Sequence, residues 1–245
     1  EVHKRKLLRR VWIALARAQE KAGIVTREQV EELEAHKDDI DIDKATEIES
    51  VIHHDLMAEI KTYASQCPKA GGIIHLGATS MDALDNADAV RFLEALELTE
   101  KRLDDLVDAI SEKAEEYKNV PTMAFTHIQP AEITTIGYRL SQTIQDLLDD
   151  REQLVFVKKS IRGKGMKGAV GTAASYKELL SESGISSIEM ENMVMDELGI
   201  KAYDAATQIY SRKQDLRIIE ALSSIACTLH KFSLDFRILQ SPPIG

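Results

Sequence analysis

Three stretches of this chain carry apolar residues at spacings of three and four over unusually long runs. One passes through Leu103, Leu106, Val107, Ile110, Ala114 and Tyr117, after a change of pattern near Met81. A second carries Ile136, Leu140, Ile144, Leu147, Leu148, Leu154 and Val155, and a third Leu216, Ile219, Leu222, Ala226, Leu229, Phe232, Phe236 and Leu239. Spacings of three and four place side chains on one face of an α-helix, and the third run comes close to a heptad seam. A helix of about 30 residues extends roughly 45 Å, against a usual length of about 11–12 residues. Rods of this kind bury their stripes by lying along one another, so the expected fold class is all-α with a long-helix bundle. Their other faces are not fully polar: Leu84, Val90 and Leu93 extend the apolar area, and Ser223, Ser224 and Ala226 permit close helix approach. A homo-oligomer is one reading of that surplus; a monomeric bundle fits the periodicity equally well.

The chain before these rods reads as shorter helices. Val2 to Ala22 is amphipathic, with Leu8, Val11, Trp12, Leu15 and Ala18 on one face and Gly23 as its stop; Trp12 is expected in the core. Thr26, with Glu28 and Gln29 in the following turn, opens a second helix by a capping box. After a charged turn at Asp38–Asp43, a third helix from about Lys44 carries His53-His54-Asp55 and continues through Leu56, Ile60 and Tyr63 to a stop at Pro68–Gly72. Residues 1–79 are therefore expected to form an N-terminal helical domain, and 80–245 a central long-helix bundle domain that is incomplete.

With 245 residues and 44% hydrophobic content, the chain is long enough to bury a sizeable core. A net charge of −10 argues against a general nucleic-acid or membrane-surface binder, while leaving room for a local basic site. Cys67 and Cys227 are far apart and lack metal-ligand spacing, so neither a metal site nor a disulfide scaffold is expected. No apolar run approaches the roughly 20 residues needed to span a membrane, and no signal-peptide pattern opens the chain; a cytoplasmic protein is expected.

Four polar islands punctuate the helical sequence. Thr126–Gly137, T-H-I-Q-P-A-E-I-T-T-I-G, reads as a loop feeding a helix, with Pro130 in the first helical turn and His127 at the helix mouth. Ile74–Asn86 has Gly77 to loosen the backbone, Thr79 or Ser80 as a cap and Asp82 in the next turn. His53-His54-Asp55 is a third island. The fourth, Gly163–Gly171, is a glycine-rich loop whose N–H groups, beside Lys164 and Lys167, suit an anion. That loop lacks Walker spacing and follows no Rossmann pattern. On residues alone, a lone His127 that merely satisfies a hydrogen bond in a turn is the favoured reading over a catalytic one.

In order and spacing, H-L-G-A-T-S-M-D, T-H-I-Q-P-A-E-I-T-T-I-G and G-A-V-G-T resemble the fumarase/aspartase superfamily of homotetrameric lyases, and within it the branch that cleaves adenylosuccinate. The resemblance implies β-elimination of fumarate from a small anionic nucleotide, with no cofactor and no metal. A base takes the proton beside a carboxylate, and an acid protonates the departing nitrogen. By motif position His127 is the implied general acid, His54 orients substrate or assists it, and His75 lines the pocket. Thr79 and Ser80 hold the fumarate-side carboxylate. Asp82, Thr126, Gln129 and Lys167 are further implied substrate contacts, as are Gln208 and Arg212 in A-T-Q-I-Y-S-R-K. Arg212 suits a carboxylate or phosphate bidentately. The resemblance further implies a homotetramer with active sites shared between subunits.

Two departures from the family pattern stand out. Ile133 occupies a position where the family has proline, and the sequence ends at Q-S-P-P-I-G, before the flexible loop that carries the family's serine base. These residues by themselves are expected to be inactive. A carboxymuconate cycloisomerase-like relative shares G-A-T-S-x-D but lacks the histidine at position 127; another lyase of the superfamily, or a non-catalytic helical scaffold, remains the alternative.

Overall fold

The computed structural model describes residues 1–241; Pro242–Gly245, the end of the Q-S-P-P-I-G departure, lie outside the described residues. In chain order the elements are α1 (Val2–Lys21), α2 (Arg27–Ala35), α3 (Ile42–Ile52), α4 (Asp55–Gln66), α5 (Ser80–Glu116), β1 (Pro121–Thr126), β2 (Gln129–Thr135), α6 (Ile136–Ser160), β3 (Arg162–Gly163), α7 (Ala174–Leu179), α8 (Ser187–Leu198), β4 (Lys201–Ala202) and α9 (Lys213–Leu239). Helices dominate, as the apolar periodicity requires. By contacts the chain divides into one compact unit of Glu1–Leu93 with Ile161–Ser211, and another of Glu94–Ser160 with Arg212–Gly245.

That division differs from the boundary expected after residue 79. The first turns of α5 are tied to the glycine-rich loop: the Asn86 amide donates to the Gly165 carbonyl at 3.2 Å and accepts the Gly165 N–H at 2.9 Å. Segments far apart in sequence thereby join the N-terminal helices in one core.

In the first unit, α1 packs against α2 and α8, and α3 against α4. Val11, Trp12, Leu15, Leu33, Leu56 and Tyr63 are almost wholly buried. Thr26 forms the expected capping box with Gln29. The expected third helix is broken in two: His53, at φ 54°, caps the end of α3 in the left-handed region, and His54 caps the start of α4. The histidine pair is therefore a helix junction. The same unit holds an ion cluster in which Glu59, 1% exposed, accepts from Arg9 at 2.9 Å and from Arg5 at 2.5 Å. The Arg9 guanidinium also sits 4.2 Å over the Tyr63 ring.

In the second unit, α6 packs against α9. Asp150 on α6 is buried and accepts hydroxyl hydrogen bonds from Ser224 at 2.5 Å and Thr228 at 2.6 Å on α9. Ser224, expected to permit close approach, thus also supplies a polar clasp. Arg151 and Lys158 on α6 pair with Asp104 and Glu100 on the distal part of α5.

The Thr126–Gly137 stretch is where expectation and structure part. It forms no loop-to-helix junction at Pro130; β1 and β2 pair antiparallel, with Thr126 opposite Gln129 and Phe125 opposite Pro130, and α6 begins only at Ile136. His127 and Ile128, at φ 53° and 63°, form the two-residue turn. Positive φ at both turn residues matches the twist of hairpin strands, and Thr122, Ile133, Thr134 and Thr135 supply β-branched side chains suited to strands.

Gly137 fixes where the hairpin meets its helix. A Cβ there would lie 2.2 Å from the Ala114 carbonyl oxygen and 2.6 Å from the Lys118 Cα, while the Gly137 N–H donates to Tyr117 O at 3.0 Å. Gly137→Ala is expected to cost about 1–3 kcal/mol through this backbone overlap. A thermal midpoint of the complete protein that did not fall would show that the junction relaxes freely.

Candidate active site

Within the first unit, four of the expected site residues lie at helix junctions. The His54 imidazole accepts the Met57 N–H through Nδ1 at 3.3 Å and stands exposed, with its Nδ1 3.8 Å from Asp55. His75 is held at φ 69°, and its Nδ1 accepts the indole N–H of Trp12 at 3.1 Å. Burial pushes the His75 imidazole below its ordinary range; Asp82 opposes this, and His54 adds to it. Asp82 and His54 are thus each within electrostatic reach of His75.

Thr79 and Ser80, both half-buried, form the entry to α5. The Thr79 N–H donates to Asp82 Oδ2 at 3.1 Å and the Asp82 N–H returns to the Thr79 carbonyl at 2.9 Å. This reciprocal pair stiffens the turn and leaves the hydroxyls at the positive end of the helix dipole, a favourable place for a carboxylate.

Two expected substrate contacts are committed elsewhere. Asp82 is fully buried, ion-paired to Lys164 at 2.5 Å, and accepts from the Lys167 and Gly168 N–H groups and from the Tyr176 hydroxyl at 3.0 Å. Its carboxylate is saturated by the protein itself, and it ties the start of α5 to the glycine-rich loop. The Tyr176 phenol is pushed well above its ordinary range by burial, then by Asp82, and remains a donor. Lys167 likewise places its ammonium on the Glu191 carboxylate, at 2.7 and 2.9 Å. The glycine-rich loop does bind anions, as its composition suggests, but they are the carboxylates of Asp82 and Glu191, the latter also taking the Met166 N–H at 2.7 Å.

Gln208 is exposed on the segment leading to Tyr210, whose buried ring stacks on Tyr203 and whose N–H donates to Asp85 at 3.0 Å. In the second unit, the hairpin tip presents Thr126, His127 and Gln129 together, all exposed. An imidazole carried on two consecutive left-handed residues, one of them β-branched, marks backbone held away from its preferred region, a feature that clusters at functional sites. Arg212 is exposed at the start of α9, with its Nε 3.9 Å from Asp215. His54 and His75 therefore belong to one compact unit, and His127 and Arg212 to the other.

A family model described as "Lyase" matches residues 2–245. The chain belongs to this lyase family. It is 39% identical over 243 residues to the adenylosuccinate lyase of Schistosoma mansoni, covering 97% of this chain and 51% of that one. With the adenylosuccinate lyase of Saccharomyces cerevisiae it shares 37% identity, over 94% of this chain and 49% of the relative. For that of Pyrococcus horikoshii the identity is 34%, over 100% and 53%. The lyase chain thus spans about half the length of the curated relatives it matches. Its fold is that of the crystal structures of a fumarate lyase from Mesorhizobium sp. BNC1, at TM-score 0.87 and 20% identity over 99% of this chain and 56% of that one, and of the 3-carboxy-cis,cis-muconate lactonizing enzyme from Pseudomonas putida, at TM-score 0.86 and 23% identity over 99% and 55%. At those identities the likeness is one of fold.

Sequence reasoning misses three features of this lyase chain: the bond from Trp12 to His75, the buried Asp82–Lys164–Tyr176 cluster and the hairpin under His127. Trp12 reads as core, and it is, at 1% exposure; the indole N–H that a buried Trp must satisfy is the available signal.

Proposed function

We propose that the complete protein is an adenylosuccinate lyase, a cytoplasmic enzyme that releases fumarate from adenylosuccinate to give AMP, and from the related ribotide SAICAR to give AICAR, in purine nucleotide biosynthesis. The observation that carries the proposal is the similarity to adenylosuccinate lyases at 34–39% identity across nearly the whole of this chain, motif islands included.

In this reading Thr79 and Ser80 bind the carboxylate that becomes part of fumarate, using hydroxyls at the start of α5. His54 orients the substrate or assists His127, His75 lines the pocket, and Thr126, Gln129, Gln208 and Arg212 are further substrate contacts. His127 protonates the departing nitrogen as the C–N bond breaks; histidine suits that step because its ordinary pKa lies near working pH. The base that removes the proton on the adjacent carbon is assigned to the part of the parent protein beyond these residues.

A homotetramer with shared sites is part of the proposal. It is supported by exposed apolar side chains on the long helices of the second unit, including Phe156 at 63% and Ile219 at 63%. The complete protein is expected to convert adenylosuccinate into equal amounts of AMP and fumarate, and to sediment as a tetramer. No fumarate would reject the substrate; a fully active monomer would reject the shared site.

A further inference from the structure

His75 differs from the other site histidines in having one ring nitrogen fixed from within the core. Trp12 is 1% exposed on α1, anchored by packing against Tyr63 at 6.3 Å between ring centroids. Its ring stands edge-on to the imidazole, at 87° and 6.2 Å, with the indole N–H on Nδ1 at 3.1 Å. The backbone around His75 is held as firmly. Gln19, also from α1, donates to the Leu76 carbonyl at 2.9 Å. Gly77, at φ 76°, lies where a Cβ would meet Leu179 at 2.5 Å.

An indole N–H only donates, so the nitrogen facing it must offer a lone pair. Neutral His75 then carries its proton on Nε2. Protonating Nδ1 would set two N–H groups head to head, at the cost of the bond and of a buried unsatisfied donor. The charged groups acting on His75 from neighbouring elements do not reverse this. Asp82 on α5 favours the imidazolium, but Lys164 already neutralises its carboxylate, and His54 at the α3–α4 junction acts in the opposite direction to Asp82.

We propose that Trp12 is a positioning residue that holds His75 as a neutral Nε2–H donor, so that His75 binds an anionic oxygen of the substrate without exchanging its own proton. This rests on the reading that His75 lines the substrate pocket. The two histidines then have separate roles, since His75 donates a fixed hydrogen bond and proton transfer is left to His127.

The test uses the complete protein labelled with 15N in the histidine rings, the His75 signals being assigned by their loss in His75→Gln. At neutral pH the spectrum should show a protonated Nε2 and an acceptor Nδ1. In Trp12→Phe, which keeps an aromatic ring and loses the donor, His75 should populate both tautomers and titrate at higher pH than in the unmutated protein. In the same variant kcat/KM for adenylosuccinate should fall about 5- to 10-fold, the loss of one hydrogen bond. That loss should lie in KM rather than kcat, because the bond serves ground state and transition state alike. A proton on Nδ1 in the unmutated protein, or an unchanged His75 titration in Trp12→Phe, would overturn the proposal. The unmutated spectrum decides even where the variant fails to fold. Because the tautomer is read without substrate, an absence of fumarate beside an Nε2–H His75 would reject the substrate and leave the Trp12–His75 device standing.

Discussion

Replacing His127 by Asn in the complete protein is expected to lower turnover by about 10²- to 10⁴-fold, the usual contribution of a positioned general acid, while the protein folds and assembles as before. The structure is what recommends Asn over Ala. His127 is exposed at the tip of the hairpin with φ 53°, a conformation that Asn tolerates better than other side chains and that two-residue hairpin turns favour. His127→Asn therefore removes the imidazole without straining the turn, whereas Ala at positive φ would mix a backbone penalty into the result. The measurement is the rate of fumarate release, with thermal midpoint and sedimentation as controls. Near-normal turnover by the folded variant would remove His127 from the chemistry. A large fall in midpoint would return it to a structural role.

Much of the architecture is legible in local chemistry. The Thr26 capping box, the Gly23 stop and the three long stripes each encode their helix in a few neighbouring residues, and α1, α2, α5, α6 and α9 follow them closely. The hairpin is harder to read because its turn is His-Ile, without the Asn-Gly pair that usually announces positive φ at two residues; Pro130 suggests a helix start that Ile136 provides instead. The glycine-rich loop reads correctly as an anion binder, but its ligands come from far along the chain. Asp82 reaches it across 82 residues to Lys164, and Glu191 across 24 to Lys167. No local pattern states which distant carboxylate fills such a loop, so in sequence Asp82 and Lys167 pass for substrate contacts. The roles proposed for His54, Thr79, Ser80, Gln208 and Arg212 are legible only as motif positions, since capping and solvation explain each of them equally well taken singly.

The second large effect is expected from the buried pair that the loop encloses. Asp82 and Lys164 are both fully buried, and breaking such a pair by removing one partner typically costs about 3–5 kcal/mol because the other charge is stranded. The two sides are not equivalent here. Lys164 Nζ has the Asp82 carboxylate and the Gly168 carbonyl, the latter at 2.9 Å. The carboxylate in turn holds the Thr79, Lys167 and Gly168 N–H groups and the Tyr176 hydroxyl besides the ammonium. In Lys164→Met the stranded anion keeps four neutral donors, which offset much of its isolation. In Asp82→Ala the ammonium is left with one carbonyl, and four donors lose their acceptor at once. Asp82→Ala is therefore expected to be the more destabilising, and the double variant to cost less than the sum of the two, since neither charge is then left alone. Chemical denaturation of the complete protein orders the three variants. Equal costs for the single changes would mean that the ammonium, not the ring of neutral donors, holds the Asp82 charge in place. Thr79 shares that carboxylate, so Lys164→Met should keep the Thr79–Ser80 turn intact and raise KM little, whereas Asp82→Ala should loosen the turn and raise KM along with the loss of stability.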